Sequence, residues 1–173
     1  MKIWTIGHST RPGDEFRQIL LAHQIESLVD VRTYPTSRRF PQFNKSVLAE
    51  SLDGIGLQYL HEPRLGGRRT PRKDSHNTAW QNAQFRGYAD HMETEEFKQA
   101  VEELLELAAR SRTTVMCAEA VWWRCHRSLI ADWLKAAGHT VIHIINEKKT
   151  EEHPFTSAAR IVEGELSYRG LLG

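Results

Sequence analysis

The residues best equipped for chemistry crowd into one stretch of this 173-residue chain, Val115-Met116-Cys117-Ala118-Glu119-Ala120-Val121-Trp122-Trp123-Arg124-Cys125-His126-Arg127. It holds both cysteines, a carboxylate, an imidazole and two guanidinium groups. Cys125 lies beside His126 and between Arg124 and Arg127, just ahead of a helical pattern. Cationic neighbours and a helix start lower a thiol pKa and favour the nucleophilic thiolate. His126 brings an imidazole that titrates near neutral pH, and Glu119 a carboxylate able to orient a neighbour or act as base. Plainer readings stand beside these. Cys117 at a strand end suits a small core residue. His126 can cap or pack, and Trp122 and Trp123 can belong to the core or offer a stacking platform for a base or sugar ring.

Two other chemistries fit less well. Cys117, Glu119, Cys125 and His126 include ligand types that suit zinc or iron, but the spacing C-x7-C-H matches no common zinc pattern. A phosphatase-like loop needs Cys and Arg spaced to cradle a phosphate. Between Cys117 and Arg124 stand tryptophans where small residues would turn amides inward. No organic cofactor motif occurs.

Around this stretch the chain alternates strands and helices. Lys2 to Ile6 reads as a strand stopped by Gly7, and Asp14-Glu15 opens an amphipathic helix with Phe16, Ile19, Leu20 and Ile25 at helical spacing. Ser27 to Arg32 is a second strand, and the strand–helix–strand unit predicts a parallel pair. A capped short helix from Ser46 to Leu52 and a strand from Leu57 to His61 follow. A long polar connection then runs to about Gln84. Phe85, Tyr88, Ala89 and Met92 suggest a short helix, and Thr94 caps a longer one running to Arg110. Thr113 to Cys117 is the fourth strand, about Ser128 to Ala137 a helix, and Thr140 to Ile145 the fifth strand. A small hairpin around Gly164 closes the chain. The pattern predicts a single α/β domain over residues 1–173, with three layers and a mostly parallel sheet of about five strands flanked by helices.

In such sheets ligands bind beyond the carboxyl ends of the strands. Four predicted ends carry chemical groups: His8 and Ser9, Asp30 and Arg32, His61 and Glu62, Cys117 and Glu119. Arg32 and Arg127 could clamp one anion, helped by free amides at the helix start before Ser128. His8 is a second candidate for proton transfer or, more plainly, a backbone partner. Asp30 inside an apolar run calls for a structural partner, such as an Arg or a loop amide.

The apolar fraction is 40% and the charged fraction 26%, which describes an ordinary soluble globular chain. No apolar run approaches the about 20 residues that span a membrane. The N-terminus lacks a signal-peptide pattern, so a cytoplasmic protein with thiols rather than a structural disulfide is expected. The net charge of +1 hides an asymmetry. Val31 to Lys73 holds nine Lys/Arg against three acids, and acids gather between Glu93 and Glu106. Arg prevails in the basic segment, which favours bidentate contacts to phosphate.

Several motifs in order give a resemblance: Thr5-Ile6-Gly7-His8-Ser9, Asp30-Val31-Arg32, Pro41-Gln42-Phe43-Asn44, Leu65-Gly66-Gly67, Phe85-Arg86-Gly87-Tyr88-Ala89, and Met116-Cys117-Ala118-Glu119 with Cys125-His126-Arg127. Together they resemble the domain of unknown function 488 (DUF488) family of bacteria and archaea. The resemblance implies a small cytosolic α/β protein and assigns no reaction. The residues themselves point to an enzyme acting on a phosphate-bearing substrate, a nucleotide or nucleic acid. The alternatives are a non-catalytic nucleic-acid-binding module using the Arg-rich segment 32–73, and a metal- or redox-sensing protein.

Overall fold

The computed structural model describes residues 1–170. Its elements in chain order are β1 (Lys2–Gly7), α1 (Gly13–Ala22), β2 (Ser27–Asp30), α2 (Lys45–Asp53), β3 (Gln58–His61), α3 (Ala83–His91), α4 (Glu95–Arg110), β4 (Thr113–Cys117), α5 (Arg127–Ala136), β5 (Thr140–Ile144), β6 (Thr150–Glu152), β7 (Arg160–Val162) and β8 (Glu165–Ser167). The expected α/β fold is present, with six strands in the main sheet rather than five, ordered β3-β2-β4-β1-β5-β6. Strands β1 to β5 run parallel and β6 is antiparallel, while β7 and β8 form the separate terminal hairpin. The expected β1–β2 pair does not form, because β4 inserts between them, pairing Gly7 with Cys117 on one side and Asp30 with Met116 on the other. The apolar run of β4 explains its place: all five residues are buried, as a central parallel strand covered on both faces requires.

Alternation along the strands divides the core into two. Trp4, Ile6, Leu28 and Met116 face α1 and α2, where Phe16, Leu20, Leu48 and Leu52 fill one layer. Ile3, Val29, Val115 and Cys117 face the other way, against Tyr88 of α3, Phe97 and Leu104 of α4 and Leu129 of α5. Helix α4 is set by its sequence: Thr94 caps it through Phe97 N, and its buried residues recur at helical spacing. The long polar connection is ordered. Asp90 of α3 accepts from Arg72 N at 2.8 Å, Ser75 Oγ at 2.6 Å and Asn77 Nδ2 at 2.7 Å, so one buried carboxylate holds the connection down.

Candidate active site

Because β4 lies between β1 and β2, three of the four predicted strand ends meet. His8 N donates to Cys117 O, Ser9 N to Ala118 O and Val31 N to Met116 O, each at 2.9 Å. Above them opens a cavity of about 570 Å³, lined by His8, Ser9, Arg32, Cys117, Glu119, Cys125 and His126 among others. That size suits a small molecule or a segment of a larger one. Gly7 makes the junction possible: a Cβ there would stand 1.8 Å from Glu119 O, so the end of β1 touches the loop after β4 only as glycine. His61 is turned away from the cavity, its Nε2 bonded to Arg32 O at 2.8 Å.

The floor is a pair of thiols. Cys117 ends β4, and the loop 118–126 folds back through a 3-10 turn at Trp122–Arg124, bringing Cys125 Sγ to 2.6 Å from Cys117 Sγ. Arg127 pins this return by donating Nη2–H to Ala120 O at 2.9 Å, and its main-chain N–H points at Cys125 Sγ from 3.5 Å. The first amides of α5 are therefore not free for a ligand. Ser128 N is spent on Cys125 O and Leu129 N on His126 O. What this helix start faces is the Cys125 sulfur itself.

The two thiols are driven apart. Burial and the neighbouring sulfur push Cys117 well above the ordinary thiol value. Burial raises Cys125 too, but the hydrogen bond with Cys117, the Arg127 charge and the Arg127 N–H outweigh it and hold Cys125 below that value. His126 Nε2 bonds to Val31 O at 2.9 Å as donor, leaving Nδ1 as acceptor 3.5 Å from Cys125 Sγ. Burial keeps this imidazole below its usual range. Gly67 packs so tightly on the ring that a Cβ would reach 2.9 Å from Nδ1.

The expected anion clamp of Arg32 and Arg127 is not arranged that way. Asp30, fully buried, accepts from Arg32 Nε at 2.9 Å and from Nη2 at 2.7 Å, and Tyr59 closes the same carboxylate. The partner that Asp30 needed is thus an arginine, whose charge is neutralised. Arg32 Nη1 donates to His8 Nε2 at 3.3 Å, and His8 Nδ1 donates to Ser9 O at 2.8 Å. With burial the largest cause, His8 is lowered to about 4, so it is a neutral ring with both nitrogens engaged and its face on Phe43. Arg127 is 1% exposed and lies beneath the cavity, outside its lining. Ser9 holds a left-handed conformation, φ 55°, uncommon for a residue with a Cβ. Glu119 is exposed at the mouth, and Trp123, 54% exposed, stands outside the lining, edge-on to Trp122.

The cavity also recruits Tyr34 and Phe40, which the sequence did not single out as site residues, together with Arg68, Phe85 and Arg124. Tyr34 and Phe40 follow β2, Arg68 follows β3, Phe85 lies in α3 and Arg124 in the turn after β4; the exposed side chains of Tyr34 and Arg68 meet with the guanidinium 5.3 Å from the ring centroid. A second group escaped notice altogether. Thr5 Oγ1, His143, His153 and Asp132 form a buried hydrogen-bonded chain, with His143 Nε2 to His153 Nδ1 at 2.8 Å and His153 Nε2 to Asp132 Oδ1 at 2.8 Å. Trp122 stacks on His143, with centroids 4.7 Å apart and planes 6° from parallel. Its one sequence signal was a histidine inside the apolar strand Val141-Ile142-His143-Ile144. Among the described residues no group of three or more His, Cys, Asp or Glu is placed to hold a metal ion, and no helix is long and apolar enough to cross a membrane.

Neither the curated proteins nor the solved structures contain a match to the chain. One family description does match: Domain of unknown function DUF488, over residues 13–134, from the start of α1 to within α5. That span takes in Arg32 and the whole Cys117–Arg127 stretch, and leaves out His8 and Ser9. Because the match covers more than half of its length, the chain belongs to the DUF488 family.

Proposed function

We propose that the cavity is the active site of a thiol-dependent enzyme acting on a phosphate-bearing substrate, a nucleotide or nucleic acid, with Cys125 as nucleophile. The observation that carries this reading is the setting of the Cys125 sulfur. It faces a main-chain N–H and the Cys117 thiol, and the residue that supplies that N–H carries a buried guanidinium that pairs with no carboxylate among the described residues. A buried cation needs a counter-charge, and the thiolate supplies it. Arg68 and Arg124 in the same lining are the cations open to the phosphate, while Tyr34, Phe40 and Phe85 offer ring faces to a base. Cys125 Sγ attacks phosphorus and the ester oxygen leaves, taking a proton from solvent. His126 Nδ1 then accepts a proton from the water that cleaves the S–P bond. A cytoplasmic setting suits two free cysteines.

The test uses the purified full chain on a panel of nucleotides and single-stranded oligonucleotides, with release of inorganic phosphate or nucleotide as readout. Turnover that is lost in Cys125→Ser and His126→Ala is the expected result. Turnover that survives Cys125→Ser overturns the assignment.

A non-catalytic nucleic-acid module is less well supported. The basic segment 32–73 is partly spent on acids: Arg64 pairs with Glu62 and Glu103, Arg72 with Asp74 and Glu93, and Arg32 with Asp30. Arg38, Arg39, Lys45 and Arg68 stay exposed, Arg39 over the Phe40 ring and Arg68 over the Tyr34 ring, and they are what this reading rests on.

A further inference from the structure

We infer that Cys117 is a resolving thiol, so that the same cavity reduces hydroperoxides by passing through a Cys117–Cys125 disulfide. This rests on the reading of Cys125 as a nucleophilic thiolate and adds a second chemistry to it. The geometry is already set. The two sulfurs are 2.6 Å apart with no other side chain between them, although seven residues separate them in sequence. Both line the cavity, so a small oxidant reaches them from its open side. Their roles differ: Cys125 faces the helix start and the Arg127 charge, while Cys117 is backed by Glu119 O at 3.6 Å and keeps its proton until it is needed.

The steps balance as follows. The Cys125 thiolate attacks the near oxygen of ROOH, an S–O bond forms, the O–O bond breaks, and the leaving alkoxide takes a proton as ROH. Cys125 is now a sulfenic acid. The Cys117 sulfur attacks it, the S–S bond forms, and hydroxide leaves with the Cys117 proton as water. Two molecules of a small thiol return the pair to its dithiol state and leave as their own disulfide.

The buried arginine sets the character of that disulfide. Once Cys125 is bonded to Cys117 it carries no charge, and Arg127, 1% exposed, with Nε and Nη1 lacking a protein partner, is left uncompensated. Removing the partner of a buried charge is strongly destabilising. Closing so short a loop offsets only part of that loss. The oxidised form is therefore less stable than the reduced one and easily reduced, unlike a structural bridge.

The experiment treats the purified full chain with hydrogen peroxide, followed by non-reducing peptide mapping and melting of each form. In parallel, the alkylation rate of Cys125 by iodoacetamide at pH 7 is measured by mass spectrometry. The wild type should give a Cys117–Cys125 linked peptide that dithiothreitol reverses, and its oxidised form should melt below the reduced form. Cys117→Ser should carry Cys125 on to the sulfinic acid and, with dithiothreitol in excess, consume peroxide far more slowly than the wild type. Fast alkylation with no linked peptide overturns the resolving role alone. Slow alkylation overturns the thiolate reading and this inference with it. A linked peptide that raises Tm identifies a structural bridge and also overturns it.

Discussion

The main-chain N–H of Arg127 points at the Cys125 sulfur from 3.5 Å, and the side chain of that same residue is among the largest in the protein to be fully buried. One residue thus brings both a dipole and a full charge to one sulfur. Arg127→Met keeps the bulk and the backbone bond and removes the charge. Cys125 should then titrate higher, and each unit by which its midpoint moves above the assay pH lowers the thiolate fraction about tenfold. Alkylation of Cys125 followed against pH gives that midpoint. An unchanged midpoint would mean that the backbone amide and Cys117 alone hold the thiolate.

Gly7 is the joint between β1 and the loop that carries the thiols. Gly7→Ala sets a Cβ against a carbonyl oxygen rather than a flexible side chain, so relief requires moving backbone. Overpacking of this kind costs about 1–3 kcal/mol or more. Urea unfolding should show at least that loss, with slower alkylation of Cys125 as the loop shifts. Gly138→Ala gives a contrast: its Cβ meets no atom within 4 Å, and only its left-handed φ of 96° resists the change.

The layers of the fold were legible because hydrophobic alternation and helical spacing act locally. The place of β4 between β1 and β2 was not, since strand order depends on contacts far apart in sequence. The site followed the same division. Residue types at strand ends pointed to Cys117, Cys125 and His126, and the structure gathers them. The surroundings of Arg32 and Arg127 were not legible because a sequence shows charge without its partner: Asp30 takes Arg32, and the fold buries Arg127. The basic segment looked more available than it is for the same reason. Acids from Glu93 to Glu103 fold back onto Arg64 and Arg72, a pairing that is invisible along the chain.

His8 makes acid stability depend on the site. Its value is about 4 in the folded protein against 6.5 as the ordinary value, so the unfolded chain takes up the proton first as pH falls. Nothing is lost above pH 6.5, stability falls through the window from 6.5 to 4, and the loss levels off below it. By pH 4.5 this one group removes roughly 2.5 kcal/mol. His8→Gln should narrow the difference in unfolding free energy between pH 7 and pH 4.5 by about that amount. A difference as large as that of the wild type would place the acid sensitivity elsewhere, with His143, also held low by burial, as the next candidate.

Asp132 anchors the end of the chain. It is fully buried and accepts from His153 Nε2 at 2.8 Å, Thr156 N at 3.0 Å, Thr156 Oγ1 at 2.5 Å and Tyr168 OH at 2.7 Å. From the His153 ring the chain continues through Nδ1 to His143 Nε2 at 2.8 Å, and from His143 Nδ1 to the Thr5 hydroxyl. One carboxylate thus anchors a buried run that reaches back to β1. Asp132→Asn turns an amide N–H₂ toward donors and leaves at least one unsatisfied, at a cost of roughly 3 kcal/mol. For a chain of this length that corresponds to a Tm lower by about 10 °C. Tyr168→Phe removes one donor and leaves the carboxylate its other partners, so its loss should be about 1 kcal/mol. Hydrogen exchange in Asp132→Asn should rise first over residues 150–168, where β6 and the β7–β8 hairpin lose their tie to α5. A variant melting within a degree of the wild type would show that the chain from Thr5 to Asp132 is not what holds that end of the protein in place.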